Sequence, residues 1–210
     1  MIDIVYVCPE FVVAYKPRGM LSEGEFPTAI SEALRESGAD GADGELFTVH
    51  RLDRTTAGLM VYARTRSAAA ELSAYIANGD FHKTYVAFVT ADSSLPPSGE
   101  LRDRLFFDRR HDKSYVVDAR HERRGAKEAV LTYETVGVFD LDGVKVTKLL
   151  VYPQTGRSHQ IRVQLGSRRS PLLGDGKYGS RVKYPYAALI SCGLRFGKWT
   201  FELDTEKLGV

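Results

Sequence analysis

Short apolar runs of strand length, set apart by turn-forming residues, recur along almost the whole of this sequence, and that pattern limits the open folds more than any other feature. Residues 2–7 and 11–15 flank a Cys8-Pro9-Glu10 turn and predict an edge hairpin, after which Lys16-Pro17-Arg18-Gly19 breaks the pattern. Residues 46–49 lead into a charged run, and residues 59–63 are apolar throughout. Residues 81–89 alternate, with Phe81, Lys83, Tyr85, Ala87 and Val89 on one face. Residues 115–118, 129–138, 144–152, 187–195 and 199–203 read as further strands, with Asp140-Leu141-Asp142-Gly143 as a hairpin turn. Helical spacing is rarer. Residues 28–37 predict a short helix, residues 66–78 a longer one capped by Thr65, and Thr155 fits the N-cap of a third that reaches about Gly166. Segments 38–44, 95–99, 120–125 and 174–179 carry loop chemistry. Many strands with few helices predict an α+β fold whose large central sheet is mixed or mostly antiparallel. A chain of 210 residues with 43% hydrophobic content can fill one core. Without repeats, low-complexity tracts or a linker, residues 1–210 read as a single domain.

The charge is small overall and uneven along the chain. Residues 22–45 hold seven acids against Arg35 alone, whereas residues 157–183 hold seven bases against Asp175 alone. Residues 102–127 add nine bases against five acids. If the two basic segments converge, they make a polyanion-binding face of the kind nucleic acids select; if not, they are solvated surfaces. Cys8 and Cys192 lack the spacing of a zinc site or a disulfide framework, which suits a reducing cytoplasm. No apolar run approaches the length of a membrane span, and no leader pattern opens the chain, so a soluble protein without a membrane partner is expected.

Two polar blocks interrupt the apolar pattern. His50-Arg51-Leu52-Asp53-Arg54 sets one carboxylate between two guanidinium groups, and Thr155-Gly156-Arg157-Ser158-His159-Gln160-Ile161-Arg162 follows about a hundred residues later. Read on through Thr55-Thr56-Ala57-Gly58-Leu59, the first block resembles the signature of the RluA-type pseudouridine synthases. Other blocks agree in order: Tyr15-Lys16-Pro17, Lys83-Thr84-Tyr85, the second block through Val163, and Gly174-Asp175 with Tyr178-Gly179. Departures are mild. Thr55, Ala57, Ser158 and Gln164 stand where the family usually has Asp, Ser, Thr and His.

The resemblance implies a pseudouridine synthase catalytic domain, with helices and loops flanking the sheet around a basic cleft. It implies isomerisation of uridine in tRNA, in large-subunit (23S-type) ribosomal RNA, or in both, with no cofactor. Asp53 is then the catalytic carboxylate, attacking sugar or base or removing a sugar proton. Tyr85, by itself an ordinary core residue on its strand, becomes the active-site tyrosine, and Arg162 the partner that keeps Asp53 ionised. Arg51 would fill the gap left by a flipped base, and Ile161, another core residue by default, would wall the pocket. Arg54 could bind phosphate or pair with a neighbouring acid, and Arg157 and His159 join the substrate-binding set. His50 could hydrogen-bond a loop, and no ligand cluster accompanies either histidine, so a metal is not expected. A cytoplasmic monomer acting on RNA is the resulting expectation. A hydrolase using one aspartate would need a second carboxylate, which neither block supplies. A non-catalytic RNA-binding protein or RNA chaperone on the same fold would fit the basic segments equally well.

Overall fold

The computed structural model describes residues 2–38, 44–90, 95–118, 120 and 123–209. In chain order the elements are β1 (Asp3–Val7), β2 (Phe11–Lys16), α1 (Glu25–Glu36), β3 (Phe47–Thr48), β4 (Ala57–Ala63), α2 (Arg66–Asn78), β5 (His82–Thr90), β6 (Ser98–Asp108), β7 (Lys113–Val117), β8 (Lys127–Leu141), β9 (Val144–Pro153), α3 (Gln160–Ser167), β10 (Leu189–Phe196) and β11 (Trp199–Glu202), with one 3-10 turn at Gly176–Tyr178. The chain divides into two compact units, Met1–Lys83 with Ile190–Asp204, and Thr84–Leu189 with Thr205–Val210. Strands dominate both. Every ladder described is antiparallel except the β4–β10 pair, so the fold is α+β with mixed, mostly antiparallel sheet, as the run pattern predicts.

In the first unit β4 is buried along its whole length, which explains its unbroken apolar sequence. On one face Leu59, Val61 and Ala63 join Phe11, Val13, Ala68 and Leu72, backed by Phe81, Leu194 and Phe196. On the other, Tyr62 meets Phe26 of α1 with ring centroids 5.8 Å apart. Helix α1 begins three residues before the sequence reading placed it. Pro27 lies in its first turn, where a missing N–H is no loss, and Phe26, Ile30 and Leu34 form its buried stripe. Helix α2 has the predicted bounds. Thr65 accepts the Ala68 N–H, and left-handed Gly79 closes the other end.

One edge of β4 is shared. β10 runs parallel to it at Ala57 and Gly58, and β3 antiparallel at Tyr62 and Ala63. Two side chains bridge the gap between them. The Ser191 hydroxyl donates to the Leu59 carbonyl (3.1 Å), and the Val61 N–H donates to His50 Nε2 (3.1 Å). Gly58 permits the close approach of β10, because its φ is +118° and a Cβ there would overlap the Ser191 backbone.

In the second unit the strand order is β5-β9-β8-β6-β7, and α3 packs on β6 and β7. Strand β6 was not anticipated. Its inward positions alternate Leu101, Asp103 and Leu105, and the buried carboxylate hides the apolar period. The β8–β9 hairpin turns at Asp142 and Gly143, both with positive φ, as the Asp-Gly signal predicts. A bulge between Thr135 and Gly137 leaves Val136 and Val138 exposed. The third helix begins at Gln160, five residues after the expected cap at Thr155. Thr155 Oγ1 instead accepts the Val130 N–H (2.9 Å) and donates to Gln160 Oε1 (2.8 Å), tying the approach to β8. Most of the 38–44 loop, part of the 120–125 connection and residues 91–94 lie outside the described residues. Ser98 and Gly99, read as loop, belong to β6.

Gly58→Ala should lower the unfolding free energy by about 3 kcal/mol or more, since strain and backbone overlap act together. Denaturant melts of the two proteins measure it, and a loss within about 0.5 kcal/mol would mean that β10 is not held this closely.

Candidate active site

Asp53 sits in an irregular segment of the first unit, between β3 and β4. Buried Leu52 alternates with exposed Arg51 and half-buried Asp53, so the chain is extended here and both polar side chains leave the core. Ser22 fixes this segment. Its hydroxyl accepts the Leu52 N–H (3.0 Å) and donates to the Leu52 carbonyl (2.9 Å), gripping both backbone groups next to Asp53. The Tyr62 hydroxyl holds Ser22 in turn through its carbonyl (2.6 Å). A turn then closes from the Thr56 N–H to the Asp53 carbonyl (3.0 Å). Arg54 neither pairs with an acid in the described bonds nor points freely outward. Its Nε donates to the Gly19 carbonyl (2.6 Å), and its own carbonyl accepts the Gly19 N–H (2.8 Å).

Beneath this loop Lys16 is wholly inaccessible to solvent. Its ammonium donates to the carbonyls of Met20 (2.7 Å) and Pro17 (3.0 Å), so one buried side chain organises the turn that Arg54 also grips. Burial lowers the Lys16 pKa to about 8, opposed by the negative charges of Asp53 and Glu25. Lys16 therefore places a cation in the electrostatic surroundings of Asp53. His50 is pushed down to about 3, first by burial and then by the charge of Lys83, so it stays neutral while it accepts the Val61 N–H.

The remaining candidates belong to the second unit. Tyr85 is buried on β5, opposite Val151 of β9. Ile161 and Arg162 lie in the first turn of α3, both nearly buried. Arg162 is only 6% exposed, and Asp175, at 2%, grips it through two bonds, Nε to Oδ2 at 2.7 Å and Nη2 to Oδ1 at 2.9 Å. The guanidinium carbon also lies 5.1 Å from the Tyr178 ring centroid. Such a fork is the geometry in which a buried arginine is best compensated.

Tyr178 extends the arrangement. Its hydroxyl accepts the Ser114 N–H (2.8 Å) and lies 2.7 Å from His159 Nδ1. His159 is buried with a left-handed backbone (φ 55°) at the start of α3, and the Ser114 hydroxyl donates to the Ser158 carbonyl (2.5 Å). Ser158, inside the third helix as the sequence places it, precedes the observed helix and so shares no helical face with Arg162. Arg157 uses Nε to reach the Glu128 carbonyl (2.8 Å), while its N–H binds Gln160 Oε1.

The two basic segments do meet inside this unit, largely by cancelling each other's charge. Arg168 forks onto Asp103 at 2.7 and 2.9 Å, and Lys177 reaches Asp112 at 2.8 Å. That contact holds the Asp112 carboxyl below the usual range. Gln164, fully buried, donates to Asp103 (2.8 Å) and to the Leu101 carbonyl (3.2 Å). Arg109, Arg110, Arg124 and Lys127 remain exposed and, among the described residues, take no ion pair. Among the described residues no three metal-ligating side chains gather, and no helix is long and apolar enough to cross a membrane.

Sequence reasoning gave no role to Ser22, Lys16, Asp175 or Tyr178. Asp175 carried a usable signal as the one acid among the bases of residues 157–183, while nothing in the sequence marks Ser22.

Comparison with known proteins adds an independent line. Residues 10–167 match the family model described as RNA pseudouridylate synthase. The chain is 29% identical to the tRNA pseudouridine synthase C of Vibrio cholerae, covering 87% of this chain and 76% of that protein. It is 34% identical to the ribosomal large subunit pseudouridine synthase D of Xanthomonas campestris, covering 89% of this chain but 54% of that longer protein. The solved structure of human RNA pseudouridylate synthase domain containing 1 shares the fold, with a TM-score of 0.80 over 97% of this chain and 82% of that one at 19% identity.

Asp175→Ala should cost about 3–5 kcal/mol of stability, because it leaves the Arg162 charge buried without its fork. Replacing both residues by apolar side chains should cost less than the single change. Urea denaturation of the three proteins checks this, and a near-neutral single variant would contradict the pairing.

Proposed function

Because the chain belongs to the RNA pseudouridylate synthase family, and so is an isomerase of RNA uridines, we propose that it acts through Asp53 on particular uridines of tRNA, large-subunit ribosomal RNA, or both. The observation that carries this reading is the double grip of Ser22 on Leu52, which presents Asp53 on a fixed, solvent-accessible turn with a buried cation close by. A preorganised carboxylate is what this chemistry needs. In the reaction the N1–C1′ bond breaks and a C5–C1′ bond forms. The C5 proton leaves and N1 ends protonated, so atoms balance without a redox partner or cofactor. Asp53 serves as nucleophile or base, and Arg162 belongs with Tyr85 to the proposed catalytic set.

A stacked uridine cannot reach a carboxylate, so the enzyme flips it at a cost of a few kcal/mol. Arg51, exposed and two residues from Asp53, has the planar guanidinium suited to the vacated stack. Tyr85 lies against the flipped base, with Ile161 as a wall. Arg157 and His159, bonded to Glu128 and Tyr178, shape the approach, and Arg54 stiffens the turn at its Gly19 anchor. The exposed Arg109, Arg110, Arg124 and Lys127 are cations available to phosphates. The enzyme works as a monomer in the cytoplasm.

Transcripts of tRNA and large-subunit ribosomal RNA carrying tritium at uridine C5 test the reading. Wild-type protein should release tritium to water, and Asp53→Asn should lose about a thousandfold or more in rate. RNA binding without any tritium release from either transcript would leave only a binding module.

A further inference from the structure

The second unit holds a cavity that the reaction above does not use. It measures about 470 Å³ and is lined by Gly174, Gly176, Ser180, Arg181, Lys183 and Tyr184, among others. It is a shallow depression that opens broadly to solvent, which suits one nucleotide of a longer strand better than an enclosed small molecule. Gly174 and Gly176, which flank Asp175, belong to its lining, so it adjoins the carboxylate that grips Arg162. Its outer wall is held in place. Gly174 has φ +77°, and a side chain there would overlap the Tyr186 carbonyl oxygen and press on Tyr184, so the 184–186 segment lies directly on the turn. Tyr184 and Tyr186 brace each other edge to face at 5.0 Å.

Three properties of the lining point to one kind of occupant. Arg181 and Lys183 are exposed, two residues apart, and among the described residues neither takes an ion pair, unlike Arg168 and Lys177 nearby. Half-buried Tyr184 contributes an aromatic side chain to the same cavity. Two unneutralised cations beside an aromatic ring are the combination by which proteins hold unpaired nucleotides: cations take the phosphates and the ring takes a base.

We propose that the 181–186 segment is a nucleotide-binding shelf that takes an unpaired nucleotide of RNA, its phosphate on Arg181 and Lys183 and its base against Tyr184. That this RNA is the one modified rests on the synthase reading; the shelf itself rests on the lining of the depression. The shelf favours unpaired over paired RNA.

Fluorescence anisotropy with a labelled single-stranded oligouridylate tests this on the full chain. The double variant R181A/K183A should bind about tenfold more weakly, and its salt dependence should be shallower by about one phosphate contact or more. Tyr184→Ala should weaken binding severalfold while Tyr184→Phe, which keeps the ring, should not. Lys145→Ala, an exposed cation on β9, should bind as wild type does. Unchanged affinity and salt slope in R181A/K183A would overturn the proposal. So would an equal loss in Lys145→Ala, or a loss confined to competition by inorganic phosphate, which would mark a small-anion site. Tritium release separates the two readings. If wild type releases none but the binding results hold, the synthase reading fails and the shelf stands. If release is normal and R181A/K183A keeps the wild-type KM, the shelf fails alone.

Discussion

The buried fork between Arg162 and Asp175 is the interaction around which the second unit is arranged. A guanidinium so little exposed carries a desolvation penalty of several kcal/mol, which only close, two-point geometry offsets. The neighbouring elements supply that geometry. Helix α3 must start at Gln160, not earlier, for Arg162 to fall in its first turn, and the left-handed His159 makes that abrupt start. The 3-10 turn presents Tyr178 over the guanidinium, and the Tyr178 hydroxyl ties the same centre to β7 through Ser114. Gly174, by admitting the 184–186 backbone, closes the turn from the other side.

The first unit answers to a different constraint, the sharing of one edge of β4 between two strands. Where β3 and β10 part, Leu59 and Val61 would lose their partners, and Ser191 and His50 supply them from side chains. His50 must therefore sit at a fixed place on the sheet. That requirement begins the segment running through Arg51 and Leu52 to Asp53. Ser22 grips it in the middle, and the Arg54–Gly19 pair holds its end. Lys16, charged in a site that lowers its pKa, sits under the same turn. A loop fixed at so many points is stiff, which suits a group that must meet its substrate in one orientation.

Much of this was legible in the sequence where period and punctuation agree. Helix α2 could be placed to the residue because Thr65 and Gly79 mark its ends, and the β8–β9 hairpin because Asp142-Gly143 marks its turn. Strand β6 is hidden in the sequence because a partly buried ion pair, Asp103 with Arg168, replaces the apolar residue that alternation requires, and that pairing spans distant segments. The start of α3 was misplaced because Thr155 has the chemistry of a cap and spends it on β8. The polar blocks announced the family through residue types, but the grip of Ser22 and the fork of Asp175 depend on long-range contacts that no local spacing encodes.

The most direct test of the central claim is carbodiimide primer-extension mapping of pseudouridine in total tRNA and ribosomal RNA. The cells compared lack this gene or are complemented with wild type or Asp53→Asn. At least one position should vanish on deletion and return only with wild type, which would also name the substrate. Restoration of that position by Asp53→Asn, or no change on deletion, would contradict the account.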